Sequence, residues 1–141
     1  MTNTRKLHDL MLSFSDAEAL STMLEAHRRG ASSEADPAVA LAEVLSQARR
    51  VPDDRLPPDR VALGSSVTYF DEPTGARRTV RVVLPQEADL SLGKISALSP
   101  IGRALIGRRR GDVVDAQLPG GRLVELHVLA IEPVRDALNE A

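Results

Sequence analysis

The first part of the chain carries residues at the three- and four-residue spacing of an amphipathic helix. In the first such stretch these residues are Leu20, Met23, Leu24 and His27. Ser15 and Glu18 stand ahead of them in the spacing of a capping box, and Gly30 stands after them at a position where helices end. We therefore predict a helix over residues 16–29. Residues 10–14 are predicted as a short strand or an extended lead-in.

A second stretch repeats the helical spacing after a short polar loop, at Leu41, Val44, Leu45 and Ala48. Asp36 is suited to be the N-cap and Pro37 the first helical residue, while Arg49 and Arg50 suit the negative C-terminal end of the helix. Two apolar stripes joined by a short loop predict an antiparallel helical hairpin, a short coiled coil, over residues 1–51.

The pattern changes after a proline-rich linker at residues 52–60. Alternating, β-branched segments then predict strands over residues 66–71, 77–84, 93–98, 113–118 and 123–131. Ser99 and Pro100 are typical of a helix start, which predicts one short helix ended by Gly107. The expected fold class is α+β, with an antiparallel β domain over residues 61–133 and a tail over residues 134–141.

Composition narrows the classes of function. The chain has no cysteine, a net charge of -2 and 2% aromatic residues, so thiol chemistry is excluded and general attraction to nucleic acid is weak. We find neither a secretion signal nor an apolar stretch long enough for a bilayer, and we expect a cytoplasmic protein. The three histidines stand apart from carboxylates at metal-ligand spacing. We therefore expect no metal site. We also expect no cofactor and no enzymatic activity.

Three segments in the second half resemble the C-terminal domain of the GreA/GreB transcript-cleavage factors. They are Val61–Thr68, Ser99–Gly107, and Gly111–Val114 followed by Leu118–Gly121. The resemblance implies an FKBP-like fold and docking at the rim of the secondary channel of RNA polymerase, with nucleic acid reached only through the polymerase. The short hairpin joined to such a domain further resembles the Rnk group of this family, the regulators of nucleoside diphosphate kinase.

The resemblance assigns polymerase binding to Ser99, Pro100 and Ile101. Chemistry alone leaves an alternative, in which Ser99 only caps the helix and Ile101 only fills the core. At the hairpin tip, the resemblance implies that carboxylates help to hold a metal ion in the polymerase active centre, which points to Glu34 and Asp36. The hairpin is about half the length of the Gre coiled coil and Asp36 is needed as an N-cap, so we expect channel occupancy without transcript cleavage.

Two other functions remain open at this stage. An FKBP-like fold is compatible with a peptidyl-prolyl isomerase, although fold alone does not confer activity. A true transcript-cleavage factor is the other alternative. The basic run Arg108–Arg110 is interpreted as a solvated link, with contact to nucleic acid or to an acidic polymerase surface as its alternative.

Overall fold

A computed structural model describes residues 10–28, 36–72 and 74–133. The predicted tail and part of the hairpin tip lie outside these ranges. The helices are α1 (Phe14–Arg28), α2 (Pro37–Gln47) and α3 (Pro100–Leu105). The strands are β1 (Met11–Ser13), β2 (Arg49–Val51), β3 (Ser66–Glu72), β4 (Ala76–Val83), β5 (Lys94–Ser96), β6 (Val113–Gln117) and β7 (Leu123–Glu132). Over the described part of the chain, no helix has the length and apolar character that a membrane crossing requires.

The second half forms a curled five-stranded sheet with strand order β5-β4-β3-β7-β6. The expectation of an all-antiparallel sheet is wrong, because β4 and β5 pair in parallel. After β4 the chain passes through two short 3-10 turns, Pro85–Glu87 and Leu90–Leu92, before it enters β5 in the same direction. The pairing of β3 with β7 shifts register between Thr68 and Tyr69, and such an irregularity bends a sheet.

Helix α1 begins two residues earlier than predicted. The hydroxyl of Ser13 accepts a hydrogen bond from the amide of Asp16 at 3.1 Å, which makes Ser13 the capping side chain. The predicted capping box of Ser15 and Glu18 is therefore wrong. Instead, the amide and the hydroxyl of Ser15 both donate to the carboxylate of Asp53. Hydrogen bonds between residues that are distant in sequence thus replace the predicted local capping bonds.

Helix α2 begins as predicted and ends early. The Asp36 carboxylate accepts from the amide of Ala38 at 2.8 Å, and Pro37 is the first helical residue. The prediction that Arg49 and Arg50 close the helix is wrong, because both lie in β2, which pairs in parallel with β1. The Arg49 amide donates to the Leu10 carbonyl at 2.8 Å, so strand pairing replaces a further helical turn.

The two helices and the sheet share one apolar core. Leu20 and Leu24 of α1 and Leu41 of α2 belong to the same buried cluster as Val67 and Leu126 of the sheet. The apolar stripes of the two helices are therefore packed within the molecule. The coiled-coil character of the hairpin stays a prediction. The division of the chain at residues 52–60 stays a prediction.

Candidate docking surface

The corner between β5 and α3 is built by the side chain that the sequence singles out there. The Ser99 hydroxyl accepts from the amide of Gly102 at 3.1 Å and donates to the carbonyl of Ser96 at 2.7 Å. The predicted N-cap and the predicted first helical position of Pro100 are both confirmed. Because its hydroxyl is used twice within the chain, Ser99 contributes mainly the shape of the corner.

Further contacts make this corner rigid. The guanidinium of Arg103 donates to the Leu98 carbonyl at 2.5 Å, and the Ser96 hydroxyl accepts from the Leu98 amide at 2.9 Å. A Cβ on Gly102 would lie only 2.1 Å from the Ser96 carbonyl oxygen, so α3 can approach β5 this closely only with glycine there. A rigid corner loses little conformational entropy on binding a partner.

Pro100 and Ile101 are half-buried and face an open cleft. Ile101 also packs against the rim of the apolar core. The core role that chemistry alone suggested for Ile101 therefore holds in part, yet the residue still contributes to a surface that a partner can reach. The two residues form one wall of a cleft of about 380 Å³.

This cleft is almost wholly apolar. Its lining residues include Tyr69, Leu90, Ile95, Pro100, Ile101 and Leu118. Tyr69, on β3, is only 2% exposed, and burial raises the pKa of its hydroxyl. Among the described residues that line the cleft, Lys94 is the one charged side chain. The cleft is suited to burying an apolar side chain of a partner.

Sequence reasoning missed Leu90, which lies between the predicted strands 77–84 and 93–98 in a segment that was expected to be a loop. The structure puts Leu90 on the wall of the cleft, with 82% of the residue exposed. The only signal available in the sequence was a pair of leucines, Leu90 and Leu92, inside a polar loop that ends in Gly93.

The two aromatic residues of β3 point to opposite faces of the sheet, as their adjacency predicts. Tyr69 points into the cleft, whereas the ring of Phe70 lies against that of His127 on the other face, with centroids 5.4 Å apart. His127 is also bonded to Glu125 at 3.1 Å, so it is satisfied locally. Among the described residues, Tyr69 is therefore the one aromatic side chain that lines the cleft.

The predicted hairpin-tip carboxylates are only partly within the described residues. Glu34 lies outside them. The Asp36 carboxylate caps α2 and lies 3.6 Å from the ring of His27. Within residues 10–28, 36–72 and 74–133, no group of three or more potential metal-ligating side chains comes together.

The interpretation of Arg108–Arg110 as a solvated link is wrong for its first residue. Arg108 is buried, with 5% of the residue exposed, whereas Arg109 and Arg110 are exposed. Nearby Arg60 is also buried and donates to the Gly107 carbonyl at 3.1 Å. Sequence reasoning missed both buried arginines, because a charged residue is almost never fully buried unless the fold supplies partners.

Two carboxylates tie the start of α1 to the rest of the molecule. Asp16 accepts from the amide of Leu63 at 3.0 Å, and burial raises the pKa of its carboxyl above the ordinary value. Asp53 accepts from Ser15, and these hydrogen bonds lower the pKa of its carboxyl. Neither contact joins residues that are close in sequence, so neither was predictable from spacing.

Comparison with known proteins identifies the family. Residues 56–133, more than half of the chain, match the family model described as "Transcription elongation factor, GreA/GreB, C-term". This segment contains the sheet, α3 and the cleft. The chain therefore belongs to the GreA/GreB family, as the three sequence segments indicated.

Individual relatives agree with this assignment. The chain is 38% identical over 97 residues to the transcription elongation factor GreA of Bartonella tribocorum, covering 69% of this chain and 58% of that protein. It is 43% identical over 84 residues to the GreA of Geobacillus kaustophilus, covering 60% and 53%. The chain thus spans little more than half the length of these relatives.

A solved structure supports the overall fold. The prokaryotic transcription elongation factor GreA/GreB from Nitrosomonas europaea superposes with a TM-score of 0.67 at 29% identity. The superposition covers 88% of this chain and 98% of that one. N-terminal helices followed by a curled mixed sheet are therefore shared with a family member. The expected FKBP-like fold of the second half agrees with this, with a mixed sheet in place of an antiparallel one.

Proposed function

We propose that this protein is a transcription regulator that binds RNA polymerase at the rim of its secondary channel through Ser99, Pro100 and Ile101. The observation that carries the proposal is the corner itself. Within a domain of the GreA/GreB family, a rigid turn holds two apolar residues beside an open apolar cleft. Preorganised apolar residues at the edge of a cleft are typical anchors of protein–protein interfaces.

Direct binding to bacterial core RNA polymerase tests this proposal. We expect labelled protein to bind the core enzyme, and the double variant Pro100→Ala/Ile101→Asp to bind at least about tenfold more weakly. Leu123→Asp is a matched control, because Leu123 is 61% exposed but does not line the cleft. Circular dichroism must show that each variant is folded. Equal affinities of the double variant and the wild type would refute the docking role.

We further propose that binding does not stimulate transcript cleavage and that the protein is not an enzyme. At about 1.5 Å per residue, the 15 residues of α1 extend about 22 Å, and the carboxylate of Asp36 is committed to capping α2. In a backtracked elongation complex we expect no acceleration of RNA cleavage. Cleavage that is accelerated by the wild type and lost in Glu34→Gln/Asp36→Asn would contradict this.

We call the pair of helices α1 and α2 the helical arm. Its short length supports competition as the mode of action. The combination of a short helical arm with a Gre-type domain resembles the Rnk group, and we propose that this chain acts as a member of that group. It would occupy the rim without delivering carboxylates to the polymerase active centre, and so exclude longer factors that dock there. Its regulatory effect would then depend on its concentration relative to those factors.

The apolar cleft does not lead us to propose an isomerase. Tyr69 is the one aromatic side chain from the described residues that lines it. Prolyl isomerases of the FKBP type resemble one another in a proline pocket lined with aromatic residues. We expect no acceleration of prolyl cis–trans isomerisation in a proline-containing peptide. Appreciable turnover would overturn this expectation.

A further inference from the structure

A groove that is separate from the cleft runs between α1 and the segment that follows β4, and we call it the α1 groove. It consists of two adjoining cavities of about 630 and 450 Å³, whose linings share Met23, Ala26 and Gln86. Helix α1 lines the groove from Ser15 to His27, a length of about 18 Å at about 1.5 Å per residue. No described residue lines both the groove and the cleft, so the groove is a second surface of the molecule.

The floor of the α1 groove is continuous with the apolar core. Met23 and Leu84 pack against the core cluster and remain partly exposed. The small side chains of Ala19 and Ala26 leave room on this face of α1. Glu18 is the one carboxylate among the described residues that line the groove. Apolar surface that joins the core and stays open is suited to a further element with a narrow apolar face.

The chain leaves the sheet at the edge that borders this groove. Ser66 of β3 pairs with Arg81 of β4 on one side and with Glu132 of β7 on the other. Because β4 and β7 are both antiparallel to β3, both continue past Ser66 at the same edge of the sheet, about 10 Å apart. Beyond this edge lie Leu84, which lines the groove, and Pro133, where the described part of the chain ends.

The start of α1 lies at the same edge of the sheet. The amide of Leu63, shortly before β3, donates to the carboxylate of Asp16 at 3.0 Å. The amide of Gly64 donates to the carbonyl of Val82 at 2.8 Å, which keeps this stretch beside the end of β4. Residues 134–141 therefore begin near the start of α1, and eight extended residues span at most about 28 Å, enough to reach the groove.

The sequence of residues 134–141 matches an occupant of this groove. Its apolar residues stand at the spacing that places side chains on one face of a helix: Val134, Ala137, Leu138 and Ala141. Pro133 is suited to the first helical position, and Arg135 carries the charge that complements Glu18. A helix this short is marginal by itself in water, so it forms only where its apolar face is covered.

We propose that residues 134–141 form a short amphipathic helix that occupies the α1 groove. The apolar face of this segment covers Met23 and Leu84, and Arg135 pairs with Glu18 near the start of α1. At about 12 Å, the helix fits within the length of the groove. The segment thereby connects the end of β7 to the helical arm. This contact lies within the chain and goes beyond the proposed polymerase binding, on which it does not depend.

Amide NMR spectra of the full chain and of a chain that ends at residue 133 test this contact. We expect the deletion to shift the signals of Met23 and Gln86 and to leave that of Val113, on the edge strand β6, unchanged. Leu138→Asp should reproduce these shifts, because a carboxylate on the apolar face cannot be buried against α1. Asn139→Asp, on the opposite face of the segment, is the matched control and should not. Unchanged groove signals after the deletion, or equal effects of the two substitutions, would overturn the proposal.

Paired cysteines test whether the segment lies in the groove of its own chain. The sequence contains no cysteine, so introduced pairs report on this contact without background. We expect Thr22→Cys/Ala137→Cys to form a disulfide within one chain at least about tenfold faster than Val39→Cys/Ala137→Cys, because Val39 lies on α2 outside the groove. Equal rates in the two pairs, or disulfides that form only between two chains, would overturn the proposal. Neither measurement involves polymerase, so a failure of the proposed function would leave this inference intact.

Discussion

Asp16 is a partly buried carboxylate that accepts a hydrogen bond from the amide of Leu63. We expect Asp16→Ala to lower the free energy of unfolding by about 1–3 kcal/mol, because the Leu63 amide would lose its acceptor. Asp16→Asn keeps an oxygen in reach of that amide and should cost much less. Urea denaturation at neutral pH measures both. Equal losses would show that this hydrogen bond does not matter.

The same residue makes a prediction about pH. Burial raises the pKa of Asp16 in the folded protein above 3.8, so the folded state binds this proton more tightly than the unfolded state does. The penalty for charging Asp16 is therefore present at neutral pH and disappears as the pH falls through the raised pKa toward 3.8. We expect the stability of Asp16→Asn relative to the wild type to be greatest at neutral pH and to decline on acidification. An opposite trend in urea titrations would contradict the role of burial.

At the scale of elements, the packing of α3 against β5 depends on Gly102. A Cβ there would lie 2.1 Å from the Ser96 carbonyl oxygen, which belongs to backbone and cannot rotate away. We expect Gly102→Ala to destabilise the protein by about 1–3 kcal/mol and to shift the Pro100 corner. Ala104→Gly on the same helix is the control, with a loss of about 1 kcal/mol or less from helix propensity. A stable Gly102→Ala variant with unperturbed amide NMR spectra around α3 would contradict this packing.

The elements also show which features could be predicted from the sequence. The starts of α2 and α3 were predictable because Asp36 and Ser99 cap them locally, each followed by proline. The end of α2 was not predictable, because the amide of Arg49 donates to the carbonyl of Leu10, a residue remote in sequence, and Arg49 thereby becomes part of a strand. The start of α1 was misplaced because the hydroxyl of Ser13 competes with that of Ser15, whose partner is the distant Asp53.

The same distinction holds for the candidate site. Ser99, Pro100 and Ile101 lie in one contiguous motif, so the sequence was sufficient to place them together at a corner. Leu90 joins them only because two 3-10 turns connect β4 to the neighbouring parallel strand β5. A contact created by topology leaves no periodic pattern in the sequence.

At the scale of the whole molecule, the shared core predicts that arm and sheet unfold together. Leu41 of α2 is fully buried in the cluster that also contains the sheet residues. Tyr69 is the only tyrosine and the chain has no tryptophan, so tyrosine fluorescence reports on the sheet while circular dichroism at 222 nm reports mainly on the helices.

We expect Leu41→Ala to lower stability by about 2–5 kcal/mol and to shift both signals by the same amount. Val39→Ala, at a position on the exposed side of α2, is the control and should change little. A shift in the helical signal alone would show that the arm is an independent unit.

These contacts also imply that the helical arm has a fixed orientation relative to the docking corner. Helix α2 packs near α3, and the α1 start is tied to the linker through Asp53 and to Leu63 through Asp16. Once the corner is seated on a partner, the direction of the arm would follow from the fold and would need no separate ordering.

The most direct test of the central claim is displacement of a labelled GreA protein from bacterial core RNA polymerase by increasing amounts of this protein. We predict complete displacement with a competitive concentration dependence, weakened at least about tenfold in Pro100→Ala/Ile101→Asp but unchanged in Leu123→Asp. Simultaneous binding of both proteins to the polymerase, or displacement that is insensitive to the corner variant, would contradict it.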